Sequence, residues 1–497
     1  MRRFLALALG ILAGGCAATF DARLDDAPSA LVRDCAAWYA ALDRAVDEAG
    51  VRDAQYIRVA GFPYLRTDRL FASLRDRAAR TSAGLQAYAE RLGELDLEAR
   101  GHEILNLPRS SVDQLPGMGP TFTRDFALRR TRDCGRLLRE LDLAKPEARA
   151  ALVRRPEVPD DYSLFARALG LYPVVRLAFA GGVRRWEEDT RAAFQAQAEN
   201  AGIRYAPTTV PLLPRAVVAG LLERANFDPL GQPLLSEREL AAVAAVHAPS
   251  FHVPVAADYD RFGALRWRRG AVLPEVDASQ LVVYVHPAYA RYRDRLLLQL
   301  VYTIWFPERP ARAAVDFLSG HLDGIIWRVT LAPDGEPLLY DSIHPCGCYH
   351  QFFPTPRARV RPAPDALEEW AFIPQGLPRV AEGERPVVKL ASGTHRIEGI
   401  ELVRGIDSLV RYQLRSYEDL RSMPRLDGGR RSAFAPDGLV PGSERAERFF
   451  LWPSGIASAG AMRQWGRHAT AFVGRRHFDD ADLIERRFEL DLAGDTR

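Results

Sequence analysis

The densest run of side chains able to do chemistry is His344-Pro345-Cys346-Gly347-Cys348-Tyr349-His350. Imidazole or thiol stands at alternate positions, and these borderline and soft donors suit a transition metal such as zinc, copper or iron. In a straight strand rising about 3.3 Å per residue the two histidines stand about 20 Å apart, too far to share one ion. Pro345 and Gly347 are poor strand residues. A bend there would bring both thiols and one or both imidazoles of His344, Cys346, Cys348 and His350 to a metal or another small ligand. Two further readings stay open: a short Cys346–Cys348 disulfide, structural or redox-active, and unpaired buried thiols beside hydrogen-bonded histidines. A cysteine nucleophile with His344 or His350 as base also fits the residue types, although an oxidising compartment would oppose it.

Other candidates are more dispersed. His321-Leu322-Asp323 has the His-x-Asp spacing of a facial iron site, with His395 as a distal ligand and Arg404 as a binder of an acidic co-substrate. Against this, Asp323-Gly324 reads equally as a turn before the strand at Ile325. His286 ends a strand, a position where loop residues line sites. His468 and His477, among arginines, could bind an anion or form part of a solvated face. The chain has no His-Glu-x-x-His, P-loop, Gly-x-Ser-x-Gly or Gly-x-Gly-x-x-Gly signature.

The start of the chain speaks to location. Met1-Arg2-Arg3 precedes the apolar run Phe4 to Leu12, a basic start and short greasy core of secretory type. It is shorter than the roughly 20 residues a membrane span needs. Ala13-Gly14-Gly15-Cys16 follows and resembles the lipobox of bacterial lipoproteins. That resemblance implies cleavage before Cys16 and diacylation of Cys16 with palmitate-type chains. It also implies membrane attachment through the N-terminal lipid. Ala17, in place of Asp, implies transport to the outer membrane, facing the periplasm. Ala13 stands where the family usually has Leu, so a secreted or soluble periplasmic form is the alternative. The stretch Leu164 to Val183, broken by Arg167, Pro173 and Arg176, reads as a packed helix and turn or an amphipathic surface helix.

The 497 residues suggest two or three domains, and 47% hydrophobic with 26% charged residues is ordinary globular composition. Lys145 and Lys389 are the only lysines among 67 basic residues. The net charge of +3 becomes +1 when Arg2 and Arg3 leave with a signal segment, which gives no nucleic-acid footprint. Besides Cys16 four cysteines remain in an exported chain, and oxidising conditions favour pairing. Cys35 and Cys134 each lie on an amphipathic helical stripe of the N-terminal half, so a Cys35–Cys134 bridge is the expected pair.

To position these residues the chain divides into a signal segment (1–15), a lipidated tether (16–27), a helical domain (28–204), a connecting segment (205–257) and a sheet-containing domain (258–497). Leu31, Cys35, Trp38, Leu42 and Val46 step by three or four, and Leu70, Leu74, Leu85, Tyr88 and Leu92 do likewise. Beyond residue 280 the β-branched and aromatic runs 281–285, 298–306, 325–331 and 337–343 read as strands, with a Pro-Asp-Gly turn at 333–335. A closing helix is expected over Asp480 to Leu490. The expected fold is α+β, a helical N-terminal half followed by a C-terminal half with an antiparallel β-sheet. The expected function is that of an exported envelope lipoprotein binding a transition metal or small ligand around His344–His350. The alternative is a non-catalytic envelope scaffold with structural disulfides.

Overall fold

The computed structural model describes residues 24–493 apart from 26, 197–200, 209–212, 225, 366 and 406–409. The signal segment and Cys16 therefore lie outside the described residues. The fold is α+β and has two compact units: residues up to Pro159 with Gly428–Asp437, and Asp160–Asp427 with Gly438–Arg497. Residues 160–204, which carry a helical pattern, thus belong with the sheet.

In the first unit, helix α1 (Ala30–Glu48) buries Cys35, Trp38, Leu42 and Val46 of the stripe its periodicity marks out, together with Val32 and Tyr39, while Leu31 at the first turn is exposed. A hairpin of β1 (Ile57–Val59) and β2 (Phe62–Thr67) follows. Next come α2 (Arg69–Ala78), α3 (Ser82–Asn106) and α4 (Arg124–Leu143). Asp68, Thr81 and Thr123 cap these three helices by accepting from the amides of Phe71, Gly84 and Phe126. Cys35 on α1 and Cys134 on α4 are joined by a disulfide across 99 residues of sequence. Beneath the hairpin, Arg66 binds Glu103 at 2.8 Å and Asp96 at 3.2 Å, and Arg100 binds Asp96 at 2.8 Å. Full burial of these four side chains makes their mutual pairing obligatory.

The second unit is built on a ten-stranded sheet. Before it run the short helix α5 (Leu164–Leu169) and the long helix α6 (Tyr172–Ala196). The strands, in chain order, are β3 (Ile203–Pro207), β4 (Ser250–Val253), β5 (Val282–Tyr292), β6 (Arg295–Arg309), β7 (Gly320–Leu331), β8 (Pro337–Ile343), β9 (Gln351–Pro354), β10 (Glu384–Leu390), β11 (Ile397–Arg404) and β12 (Val410–Ser416). Their spatial order is β9-β8-β7-β6-β5-β12-β3-β4-β10-β11. From β5 to β9 the sheet is an antiparallel meander, and the Pro-Asp-Gly turn joins β7 to β8 with Gly335 at φ +76°.

The whole sheet is mixed rather than antiparallel. Strand β12 runs parallel to both β5 and β3, and β10 runs parallel to β4. Parallel neighbours need long crossovers, so these pairings join segments up to two hundred residues apart and leave no local turn signal. Tyr205, Phe251, Phe262, Tyr302, Phe306 and Trp327 belong to the apolar core of this unit. The expected closing helix contracts to Leu483–Arg487, because Phe488–Leu490 extends and pairs with Ala358–Val360. No helix among the described residues is long and apolar enough to cross a membrane.

Candidate functional site

The run from His344 leaves the end of β8 as a tight turn. The His344 amide donates to the Cys348 carbonyl at 3.0 Å, and the Gly347 amide donates to the His344 carbonyl at 2.8 Å. Gly347 has φ +89°, and a Cβ there would stand 2.3 Å from the Ala469 carbonyl oxygen, so only glycine fits. Tyr349, at φ 62°, then redirects the chain into β9.

This bend sends the two histidines to different carboxylates. His344 Nδ1 lies 3.0 Å from Asp323, and His350 Nε2 lies 3.0 Å from Asp341. Asp341 also takes a two-pronged bond from Arg328 at 2.9 and 2.5 Å. Burial lowers the pKa of His350 to about 3, so the ring is neutral and donates its Nε2 proton to Asp341. Cys346 and Cys348 are unbridged thiols. The Cys348 amide points at the Cys346 sulfur at 3.4 Å. A hydrogen bond to the Cys346 sulfur, reinforced by burial, holds the Cys348 thiol well above its ordinary pKa, so Cys348 stays protonated. No three donors of His344, Cys346, Cys348 and His350 lie within 4.8 Å of one another.

Asp323 gathers the more elaborate array. Its two oxygens meet His344 Nδ1 at 3.0 Å and His395 Nδ1 at 2.9 Å, and one also accepts from the Gly324 amide at 2.9 Å. His395 Nε2 stands 3.4 Å from Asp260, which accepts from the Ser392 hydroxyl and the Gly393 and Ala256 amides. The result is an alternating chain of His344, Asp323, His395 and Asp260. Although burial opposes ionisation of Asp323, its two imidazoles hold its pKa well below the usual value. Burial opposes charge on His395 as well, but bonds to Asp260 and Asp323 prevail and raise its pKa. Burial lowers that of His344. The chain thus favours the ionised form of Asp260 and Asp323 and the protonated form of His395 between them, and disfavours protonation of His344. With Nδ1–H committed to Asp323, His344 keeps the lone pair of a buried Nε2 that has no partner.

Of the facial-iron candidates, Asp323 and His395 come together while His321 turns away, with Nε2 2.8 Å from the Pro274 carbonyl. Arg404 is exposed and pairs with Glu384 at 3.4 Å. His286 packs against Tyr417 and Trp465. His477 faces Asp160, Asp161 and Asp480.

A cavity of about 470 Å³ opens beside the turn. Cys346, Gly347, Cys348, Tyr349 and His350 form one wall, Phe179, Gly182 and Trp186 of α6 another, and Phe372 and Phe472 add apolar surface. Glu447 also faces it, and burial raises its pKa to about 7 against the opposing pull of Arg309 and Arg445. Glu447 was not legible in the sequence, since Glu444-Arg445-Ala446-Glu447-Arg448 reads as a solvated charge run. Asp260 and Asp341 sit in no recognisable motif. No protein-family model, curated protein or solved structure matches the chain.

Proposed function

We propose that this chain is an exported envelope lipoprotein that binds a small, largely apolar molecule in the cavity walled by residues 346–350. The observation that carries this reading is the cavity itself. Its volume of about 470 Å³ falls within the range of small-molecule sites, and its few polar groups converge on aromatic and aliphatic walls. A ligand reading is better supported than a metal reading, because the two histidines are each committed to a separate carboxylate. Membrane attachment through Cys16 belongs to the same proposal, and loss of labelled palmitate incorporation on Cys16→Ala is its test.

Gly182 offers a direct test of the cavity. A Cβ at this position meets no atom within 4 Å, so Gly182→Leu projects into open space at the cavity wall without a clash. Titration with a dansylated fatty acid should give saturable fluorescence in the parent chain. The Gly182→Leu chain should bind about tenfold more weakly with an unchanged melting temperature, the loss expected when a pocket of this kind is filled. Equal binding by both chains would sink the reading.

A further inference from the structure

The outer face of α5 and the first half of α6 is apolar and open to solvent. Leu164, Phe165, Leu169, Leu171, Val174 and Leu177 are between 54% and 77% exposed. From Leu164 to Val183 the chain carries just two charged side chains, and neither is exposed: Arg167 is buried and Arg176 half-buried. Arg167 is satisfied inward, donating to the carbonyls of Ser454 and Gly474 at 2.7 Å each. The Tyr172 hydroxyl is likewise used, donating to the Phe472 carbonyl at 3.1 Å.

This face is fixed to a second apolar segment. The Ser163 amide donates to the Gly455 carbonyl at 2.8 Å. A Cβ on Gly170 would come within 2.5 Å of Pro453, so the absence of a side chain lets the two segments meet. Phe449, Phe450 and Trp452, all exposed, precede that contact. Two segments thus form a single ledge of leucine, valine, phenylalanine and tryptophan, far more apolar than a soluble surface needs.

We propose that this ledge docks on a lipid bilayer and that the neighbouring cavity takes the acyl portion of an amphiphilic lipid; the second half of the statement rests on the ligand reading above. Polar satisfaction favours a bilayer over a protein partner. Protein interfaces carry about one hydrogen bond per 100–200 Å², whereas a hydrocarbon phase requires that polar groups already be paired within the chain. Arg167 and Tyr172 donate inward, whereas half-buried Arg176, whose Nε has no hydrogen-bond partner, is left to reach a phosphate headgroup at the interface. Exposed Arg184 and Arg185 follow directly on α6, at a level suited to phosphate headgroups, before Glu188 and Asp189 restore an ordinary surface. The ledge also leads to the cavity: Ala178, Phe179 and Gly182 continue it along α6, and Leu451 lies between Phe450 and Trp452, and all four line the cavity.

The test uses the full chain carrying Cys16→Ser, so that an N-terminal diacyl group does not contribute, with and without Leu169→Glu, Val174→Glu and Leu177→Glu. Co-sedimentation is measured with vesicles of phosphatidylcholine, alone and mixed with phosphatidylglycerol. The triple substitution should reduce vesicle binding about tenfold with an unchanged melting temperature, since it places charge where the apolar face enters the interface. Equal sedimentation of the two chains overturns the docking proposal. So does a concentration-dependent dimer that the triple substitution abolishes, because the ledge would then belong to a second copy. Mass spectrometry of re-isolated protein should find phospholipid on the parent chain and none on Gly182→Leu, while Gly182→Leu still sediments with vesicles. Sedimentation without recovered lipid overturns the assignment of lipid to the cavity and leaves docking intact. The dansyl fatty acid titration judges the cavity separately.

Discussion

Asp323 accepts from two imidazoles and a backbone amide while shielded from water, and a buried carboxylate in that position depends on all of its donors. Asp323→Asn keeps the shape but leaves His395 facing one carboxylate instead of two. Urea denaturation should show a loss of about 3 kcal/mol, the scale for removing one member of a buried charge pair. Asp323, with a lowered pKa, contributes stability above about pH 4 that fades as pH falls through its folded value. His395, with a raised pKa, contributes below about pH 6.5 and loses this as pH rises through its folded value. The neutral buried histidines act in the opposite sense to His395. Burial lowers His286 to about 4 and His468 to about 3, so below pH about 6.5 the unfolded chain takes protons that the folded chain refuses. Melting temperature should therefore fall between pH about 6.5 and 4, and His286→Leu should flatten that slope. A slope unchanged by the substitution would remove His286 from this account. The cluster at 344–350 was legible because histidine and cysteine are scarce in this chain. Its partners were not, since Asp323 reaches His395 across 72 positions and no local pattern records such a contact.

The strands β5 to β8 were readable as runs of β-branched and aromatic residues, and the β7–β8 turn announced itself through Asp334-Gly335. The parallel neighbours were not readable, because β3 and β4 are five- and four-residue strands whose partners lie far along the chain. The expected bend at Pro345 and Gly347 exists, and it separates the two histidines instead of gathering them. That turn can be tested as an element. Gly347→Ala must place a Cβ against the Ala469 carbonyl in a left-handed backbone, at a cost of about 1–3 kcal/mol. Because the same turn walls the cavity, this variant should lose both urea stability and dansyl fatty acid affinity, whereas Gly182→Leu should lose affinity alone. Glu447 adds a pH signature to the same wall. Its pKa of about 7 means that it gains charge as pH rises through neutrality, so an apolar or anionic probe should bind more weakly above pH about 7. Glu447→Gln should bind with little pH dependence. Persistence of the parent's pH profile in Glu447→Gln would assign the effect to another group.

Helical periodicity resumes after the proline-containing stretch 155–163, yet the chain leaves its first compact unit at Pro159 and returns to it at Gly428–Asp437. Periodicity reports which face of an element is buried, and not against which neighbours, so this division is invisible to it. The two units are held by different means, and that difference can be measured. The first is closed covalently, since the Cys35–Cys134 bridge ties α1 to α4 across 99 residues, a loop length for which the chain-entropy model gives about 4–5 kcal/mol. The second is held by its sheet and apolar core, and its cysteines, Cys346 and Cys348, are unbridged. Of the eight tryptophans, Trp38 alone falls in the first unit, so tryptophan fluorescence reports mainly on the second. Helical circular dichroism draws on both units, with α1, α3 and α4 large contributors from the first. The Cys35→Ala, Cys134→Ala chain should therefore show its helical transition moved to lower urea, with most of the tryptophan transition unmoved. Reducing agent should do the same to the parent chain and nothing further to the double variant. If both signals shift together, the units unfold as one cooperative body and the bridge stabilises the whole chain.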